Sequence, residues 1–300
     1  MTTGVETIDE AGEGVPLELR LQREIDAALR QLREGTGEAC LSEFSFSNLY
    51  LFRREHAYRY LPGDQPCIAG RTYDGVRHLL PLFALHEAAP DALAGLLRGH
   101  DCFYPLTRGQ VERLDPQRFA VSESRDDADY LYRADNFRHY RGSALAKKRN
   151  LMNQLLAGGS VQANRYLPAL RSDALAVLRQ WMADKGKADG EADQAACIEA
   201  VEEAGRLGLE GFVHHVDGRP AGFVLAEEIQ PAVFVMRFAK GLDACKGIYQ
   251  YMFHHFCASF ERPVQWLNFE QDLGLANFRR TKQSYQPSAL LSKFRVRLAR

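Results

Sequence analysis

The chain has 300 residues, of which 46% are hydrophobic and 26% are charged, and its formal net charge is −1. This composition is typical of a globular protein, and the length fits one large domain or two of ordinary size. The near-neutral charge excludes a protein that binds nucleic acid through an excess of basic residues over its whole surface. A local basic patch is still compatible with it.

The N-terminus and the cysteines favour a cytoplasmic protein. Residues 1–16 are acidic and glycine-rich, lack the basic and apolar regions of a signal peptide, and are predicted to form a disordered tail. The chain has no run of about 18 apolar residues, so we expect no transmembrane segment. The six cysteines form no CxxC pair, which favours small buried thiols over a zinc site or disulfides.

The first half of the chain alternates helical and extended patterns. Apolar residues recur at helical spacing until Gly35, and Asp74-Gly75 is a strong hairpin signal between two apolar runs. Residues 116–142 are polar with scattered aromatics and give no clear period. The predicted elements are a helix (17–34), a short helix (49–54), a strand (58–61), two strands around Asp74-Gly75, a helix (90–99), a strand (102–106) and a helix (143–158).

The second half has a more regular pattern. Gly158-Gly159 and a new helical run at Ser172 predict a domain boundary, with one domain over residues 17–160 and another over 161–300. The order of elements predicts an α/β fold with a mixed sheet in each of two similar domains. The predicted elements are helices (172–185, 194–208), three strands between residues 208 and 240, a helix (245–260), a strand (264–271), a helix (273–285) and one final strand (289–298).

Three segments resemble a known family. They are FSFSNLYLFR (44–53), DYLYRADNFRHYRGSALAKKRNLMNQLL (129–156) and NFEQDLGLANFRRTKQSYQPSALLSKF (268–294), in this order along the chain. Together they are similar to the C-terminal part of phosphatidylglycerol lysyltransferases. The resemblance implies two tandem acetyltransferase-like (GNAT-type) domains, with the active site in the second domain near a tunnel at the domain interface.

The resemblance also implies an activity. The best-known members move an aminoacyl group from aminoacyl-tRNA to a lipid head group, and they carry a membrane-embedded segment that these 300 residues lack. The implied partners are tRNA and a small-molecule, peptide or lipid acceptor. Membrane-bound members have an Asp where this chain has Phe234, three residues before Arg237, and shorter relatives have a Glu where Ala239 precedes Lys240. These departures favour a rival interpretation, a non-catalytic binding protein that keeps the fold.

The helix over residues 143–158 offers a candidate anion site. Arg149 lies about 40° around the helix from Leu145, beside the apolar stripe, where a purely solvated charge is not expected. Its guanidinium could bind a phosphate or carboxylate of the substrate. The alternative is a structural ion pair with a carboxylate such as Asp129.

The end of the strand over residues 264–271 offers a candidate catalytic centre. Asn268, Glu270 and Asp272 occur there at every second position, so their side chains point to the same side while the strand lasts. Strand ends at a sheet opening are common ligand sites in α/β folds. Glu270 could accept a proton from an attacking amine or hydroxyl group, whereas Asp272 is expected to cap the following helix. By analogy with the family, Tyr285 is a second candidate for proton transfer. The predicted substrate-binding residues are Arg149, Arg237, Lys240, Asn268 and Lys282.

No resident cofactor is predicted. The pairs His214-His215 and His254-His255 lack metal-ligand spacing, so we expect no metal. Acyl-CoA remains an alternative donor to aminoacyl-tRNA. However, the segment KGLDACKGIYQ (240–250) lacks the glycine spacing with which acetyltransferases bind a pyrophosphate at a helix N-terminus.

Overall fold

The computed structural model describes residues 14–188, 191 and 193–299. Most of the predicted N-terminal tail, residues 1–13, lies outside the described residues. The helices are α1 (Gln22–Arg33), α2 (Phe46–Leu51), α3 (Pro90–Leu96), α4 (Arg108–Val111), α5 (Asp135–His139), α6 (Ala146–Gly158), α7 (Arg171–Asp184), α8 (Gln194–Glu203), α9 (Ile248–Ser259) and α10 (Ala276–Gln283). The strands are β1 (Val15–Pro16), β2 (Arg59–Leu61), β3 (Cys67–Arg71), β4 (Arg77–Pro81), β5 (Cys102–Leu106), β6 (Phe119–Glu123), β7 (Asp129–Arg133), β8 (Val161–Arg165), β9 (Leu209–Val216), β10 (Arg219–Gln230), β11 (Val233–Gly241), β12 (Trp266–Asn268), β13 (Ala289–Leu291) and β14 (Phe294–Leu298).

Two seven-stranded mixed sheets repeat one topology. The first sheet has the order β1-β2-β3-β4-β5-β14-β6, and the second, read from its other edge, has the order β8-β9-β10-β11-β12-β7-β13. In each sheet the first four strands are antiparallel, the fourth and fifth are parallel, and the last two are antiparallel to their neighbours. The predicted α/β class with two tandem GNAT-type units is therefore confirmed.

The two halves exchange one strand each. β7, from the first half of the sequence, lies between β12 and β13, and β14, at the end of the chain, lies between β5 and β6. The single final strand predicted over residues 289–298 is therefore wrong, because the chain leaves the second sheet after Leu291 and enters the first at Phe294. The sheets thus do not separate at residues 160 and 161, and the domain boundary there stays a prediction.

Helices cover both faces of the second sheet. Along β10, Phe223 and Leu225 belong to a core that also includes Leu49 of α2 and Leu178 of α7. The alternate residues Val224 and Ala226 pack instead with the aromatic side chains of α9. This alternation follows from the two-residue period of a strand, and it defines an α2 face and an α9 face of the sheet. In the described part of the chain, no helix combines the length and the apolar character needed to cross a membrane.

Candidate functional site

The second sheet opens where β11 and β12 diverge. These parallel strands pair over three residues, the last pair being Val235 and Asn268. β12 ends there, whereas β11 continues to Gly241. Beyond Asn268 the backbone turns sharply, with Glu270 in the left-handed region at φ 57°. Charged side chains from both halves of the chain gather on the α2 face of this opening.

Arg237 lies on the α2 face, at a β-bulge of β11. In the pairing with β10, Leu225 lies opposite Phe238 and Ala226 opposite Met236, so Arg237 has no partner residue. One extra residue reverses the alternation of side chains along β11 from this point. Arg237 therefore lies on the same side as Phe238, which packs in the α2 core.

Arg237 is fully buried between two glutamates. Its Nη1 atom donates to Glu270 Oε1 at 2.6 Å, and its Nε and Nη2 atoms donate to Glu227 Oε2 at 3.1 and 2.9 Å. Nη2 also donates to the carbonyl of Ser42 at 2.9 Å. These contacts use four of the five N–H donors of the guanidinium, and the predicted contact of Arg237 with substrate stays a prediction.

The segment over residues 40–47 brings the first half of the chain into this site. The Ser45 hydroxyl caps the N-terminus of α2 and donates to Glu227 at 2.6 Å. Ser47 also donates to Glu227. The carboxylate of Glu227 thus joins this segment to Arg237, which explains why a charged residue is tolerated in β10.

Lys293 lies at the crossing between the two sheets and connects three segments of the chain. Its ammonium is completely buried and lies 2.5 Å from Glu43 Oε1, 2.6 Å from Asp129 Oδ1 and 2.5 Å from Gln271 Oε1. Asn268 donates to Asp129 at 2.9 Å and accepts from the Glu270 N–H at 2.7 Å. All three segments that carry the family resemblance therefore meet around Lys293 and Arg237.

The two carboxylates that share Lys293 differ in their environment. Burial raises the pKa of Glu43 to about 7, although Lys293 opposes the shift. Burial also opposes ionisation of Asp129, but Lys293, Asn268 and the Ser42 N–H outweigh it and hold the pKa of Asp129 below its usual value. Asp129 is therefore the ionised partner of Lys293, while Glu43 can exchange a proton near neutral pH.

Lys282 binds the backbone of the loop that follows β12. Its Nζ atom donates to the carbonyls of Phe269, Glu270 and Gln271 at 2.6, 3.1 and 2.5 Å. Burial lowers the pKa of Lys282 to about 8. Three acceptors use all three donors of an ammonium, so Lys282 positions the loop, and its predicted contact with substrate stays a prediction.

Asp272 is a structural residue of the same loop. Its carboxylate accepts from Arg279 at 2.9 Å, Tyr130 at 2.6 Å and the Gly274 N–H at 3.0 Å. Burial disfavours its ionised form, but these hydrogen bonds outweigh burial and hold the pKa of Asp272 well below its usual range. The expectation that Asp272 is the N-cap of the next helix is wrong, because α10 begins at Ala276 and Asp272 closes the preceding turn.

Tyr285 and Arg149 belong to the α9 face. The Tyr285 hydroxyl accepts from Gln250 Nε2 at 2.8 Å, and burial raises the pKa of Tyr285. Arg149 donates to the carbonyl of Tyr140 at 2.5 Å. The alternative ion pair between Arg149 and Asp129 is not formed, since Asp129 is bound to Lys293.

Lys240 and Phe234 lie apart from both groups. Lys240 Nζ is 2.6 Å from Asp193 and 3.9 Å from the centroid of the Trp181 ring. Phe234, which stands where membrane-bound relatives have an Asp, packs on the α9 face with Phe256 and Phe260. Phe234 thus lies on the face of β11 opposite Arg237, and the carboxylates bound to Arg237 are those of Glu227 and Glu270.

Several residues of the network were not predicted from the sequence. Glu43, Glu227 and the pairing of Lys293 with Asp129 depend on contacts between distant segments. One signal was present, since Glu227 follows the apolar run Phe223–Ala226 inside a strand, and an acidic residue there needs a partner. Within the described residues, no group of His, Cys, Asp or Glu side chains is arranged to hold a metal ion.

Comparison with known proteins shows the family of the chain. Residues 38–297 match the model of the C-terminal region of phosphatidylglycerol lysyltransferase. The chain belongs to this family. The curated proteins gave no match.

Solved structures share the fold. A conserved protein of unknown function from Bacteroides thetaiotaomicron has a TM-score of 0.77 at 22% identity, and the match covers 95% of this chain and 98% of that chain. The C-terminal domain of a putative lysylphosphatidylglycerol synthetase from Agrobacterium fabrum has a TM-score of 0.61 at 12% identity, covering 92% of each chain. L-PGS from Bacillus licheniformis also has a TM-score of 0.61 at 12% identity, covering 95% and 93%.

Proposed function

We propose that this protein transfers an aminoacyl group from aminoacyl-tRNA to an amine or hydroxyl group of an acceptor, in the cytoplasm. Membership of the lysyltransferase family supports a transferase of this class. The observation that carries the proposal is the position of Glu270 at the opening between β11 and β12. Its side chain is 21% exposed, the largest value among the four acids bound to Arg237 or Lys293.

The proposed reaction is attack of the acceptor on the ester that joins the amino acid to tRNA. Alignment of an activated ester with its nucleophile lowers the barrier without a covalent enzyme intermediate. Glu270, fixed by Arg237, accepts a hydrogen bond from the nucleophile and orients it. Tyr285, whose raised pKa keeps it protonated, is the proposed proton donor to the leaving oxygen.

The packing of α9 favours tRNA over CoA as the donor. A pyrophosphate bound in the acetyltransferase manner would need the N-terminus of α9. A Cβ atom at Gly247, the residue before this helix, would lie 2.1 Å from the carbonyl oxygen of Leu151. The backbone of α6 therefore packs directly against this helix end, which leaves little room for a pyrophosphate.

Basic residues supply a surface for the proposed tRNA. Lys147 and Arg280 are exposed and make no ion pair within the described residues, so their charges are available to neutralise phosphates. Arg149 is proposed to contact the donor, because a carbonyl rather than a carboxylate is its partner. Lys240 is bound to Asp193, and its contact with substrate stays a prediction. Arg279 is bound to Asp126 and Asp272, and so it is a less suitable phosphate ligand.

The test is to offer purified protein charged tRNAs and acyl-CoAs separately, each with phosphatidylglycerol vesicles, a dipeptide and glycerol as acceptors. Products are identified by mass spectrometry, with the Glu270→Gln variant measured in parallel. Product from charged tRNA supports the proposal, whereas product from acyl-CoA alone supports an acyl-CoA-dependent N-acyltransferase. No product from either donor favours a non-catalytic binding protein.

A further inference from the structure

A second polar cluster lies in the first half of the chain, around the parallel pair β4 and β5. The rings of Tyr58 and Tyr104 both contact His78 of β4 edge to face, with ring centroids 5.8 and 5.6 Å apart. Because the two sheets share one topology, β4 and β5 correspond to β11 and β12, which form the opening in the second sheet. Neither the proposed reaction nor the family motifs assign a role to this cluster.

Three polar groups of the cluster have no hydrogen-bond partner among the described residues, and one of them, His78 Nδ1, is buried. Tyr58 and Tyr104 are 9% and 6% exposed, and their hydroxyls make no hydrogen bond to any residue that the structure describes. His78 is 1% exposed, and its Nδ1 atom likewise has no partner in the described part of the chain. Buried polar groups are nearly always hydrogen-bonded, so the buried His78 Nδ1, with two unpaired hydroxyls beside it, indicates a bound molecule or water.

The backbone is adapted to hold Tyr58 in place. A Cβ atom at position 70 would lie 2.3 Å from Cδ1 of Tyr58, so Gly70 makes room for the ring. Burial lowers the pKa of His78 to about 3, which keeps its imidazole neutral and able to accept or donate a hydrogen bond. The imidazole of His78 is thus neutral, and a charged group, the guanidinium of Arg295, lies 5.0 Å from the centroid of the Tyr104 ring.

Glu43 joins this cluster to the site around Arg237. Lys293 binds Glu43 at 2.5 Å, and two residues further along the chain the guanidinium of Arg295 lies 5.0 Å from the centroid of the Tyr104 ring. Burial and, to a smaller extent, the negative charge of Glu43 raise the pKa values of Tyr58 and Tyr104. Glu43 also follows Ser42, whose carbonyl binds Arg237, and shares Lys293 with Gln271, the neighbour of Glu270. The charged groups that face Glu43 are Lys293 and Asp129, and the titratable hydroxyls are those of the two tyrosines.

We propose that this cluster is the acceptor site: Tyr58, His78 and Tyr104 bind an acceptor that carries a primary amine or hydroxyl group, and Glu43 takes the proton from its nucleophilic atom. This inference rests on the proposed function and assigns the acceptor to the first half of the chain. Asp129 is less suited to this role, because it accepts from Lys293, Asn268 and the Ser42 N–H. Glu43 accepts from Lys293 and from the Ser42 hydroxyl, which leaves its carboxylate more acceptor capacity for a nucleophile.

The proton transfer balances without a further reactant. The nucleophilic nitrogen or oxygen forms a bond to the ester carbonyl carbon, and the bond from that carbon to the tRNA oxygen breaks. Glu43 receives the proton from the nucleophile, and the leaving oxygen is protonated by Tyr285. Proton exchange with solvent then returns Glu43 and Tyr285 to their starting states.

Binding is tested without any assay of transfer. The protein is labelled with ¹³C at the tyrosine ring, and the signals of Tyr58 and Tyr104 are assigned with Tyr58→Phe and Tyr104→Phe. Titration with ethanolamine and with glycerol should shift these two signals. The signal of Tyr166, whose hydroxyl already donates to the Val201 carbonyl, should not move. No shift with either probe up to 100 mM, or equal shifts at Tyr166, would overturn the acceptor site.

Kinetics then test the role of Glu43 if transfer is detected. Glu43→Gln should lower kcat by about 10²–10⁴ and remove the acid limb of the pH profile. Tyr58→Phe and Tyr104→Phe should raise KM for the acceptor by roughly 3–30-fold and leave KM for the donor unchanged. Tyr166→Phe is the matched control and should change neither constant.

The two proposals fail in different ways. Tyrosine shifts in a protein that transfers nothing would refute the proposed reaction and keep the binding site. Transfer that survives in Glu43→Gln with its pH profile intact would refute the role of Glu43 and keep the reaction. A change in donor KM alone in the tyrosine variants would assign the cluster to the donor and refute its assignment to the acceptor.

Discussion

Replacing Lys293 with Met should strongly destabilise the fold, because it leaves two buried carboxylates without their cation. Lys293 is completely buried, and Glu43 and Asp129 lie within 2.6 Å of its ammonium. Breaking a buried ion pair by removing one partner typically costs about 3–5 kcal/mol. Glu43 can relieve part of this cost by taking up a proton, so we expect about 3 kcal/mol at neutral pH.

The loss should depend on pH. Without the ammonium, the pKa values of both carboxylates in the folded state rise above their values in the unfolded chain. The folded variant then binds more protons than the unfolded one, and its stability falls as pH rises. The difference from wild type should therefore be larger at pH 8 than at pH 5.5. The double variant Lys293→Met, Glu43→Gln should recover part of the loss at pH 8.

Urea unfolding, followed by the fluorescence of Trp181 and Trp266, measures this effect. A loss of about 3 kcal/mol should lower the midpoint by roughly 1–3 M. The matched control is Lys185→Met, which breaks a partly exposed pair with Asp243 and should cost less than about 1 kcal/mol. If Lys293→Met proved as stable as this control at pH 8, the cation would not be holding the two sheets together.

Three further predictions use other parts of the structure. If the transfer reaction exists, Glu270→Gln should lower turnover by about 10²–10⁴, and it should lower stability less than Lys293→Met does, because Arg237 keeps its pair with Glu227. Asp272→Asn should mainly lower stability, and the reverse pattern would mean that the wrong carboxylate had been chosen. Gly247→Ala should cost about 3 kcal/mol or more, since its φ is 94° and its Cβ would meet the Leu151 carbonyl, whereas Gly205→Ala has free space and should be nearly neutral; equal urea midpoints would contradict this packing. Burial lowers the pKa of His214 to about 3, below its value of about 6.5 in the unfolded chain, so protonation opposes folding as pH falls below about 6.5. The stability of His214→Phe relative to wild type should therefore improve by about 2 kcal/mol between pH 7.5 and 5, and a constant difference between the two proteins would refute this.

The sequence predicted the main site residues to different extents. Glu270, Asn268 and Arg237 were chosen from their positions at a strand end or from family likeness, and the structure brings these three together. Tyr285 follows Glu270 closely in sequence, yet it lies on the α9 face with Gln250. The turn after Asn268 and the packing of α10 determine on which face of the sheet Tyr285 lies. The spacing of apolar residues in the sequence does not predict either feature.

What the sequence determined by itself is local. Apolar periods and glycine signals predicted α1, the hairpin of β3 and β4, and the order of helices and strands from α7 to α10, because each depends on neighbours within a few turns. The tertiary structure alone decided the exchange of β7 and β14, the bulge at Arg237 and the meeting of Glu43, Asp129 and Lys293. Strand partners and buried ion pairs join residues up to 250 positions apart, as between Glu43 and Lys293. Such contacts form because they lower the free energy of the whole packed chain. A local pattern of residue types therefore does not predict them.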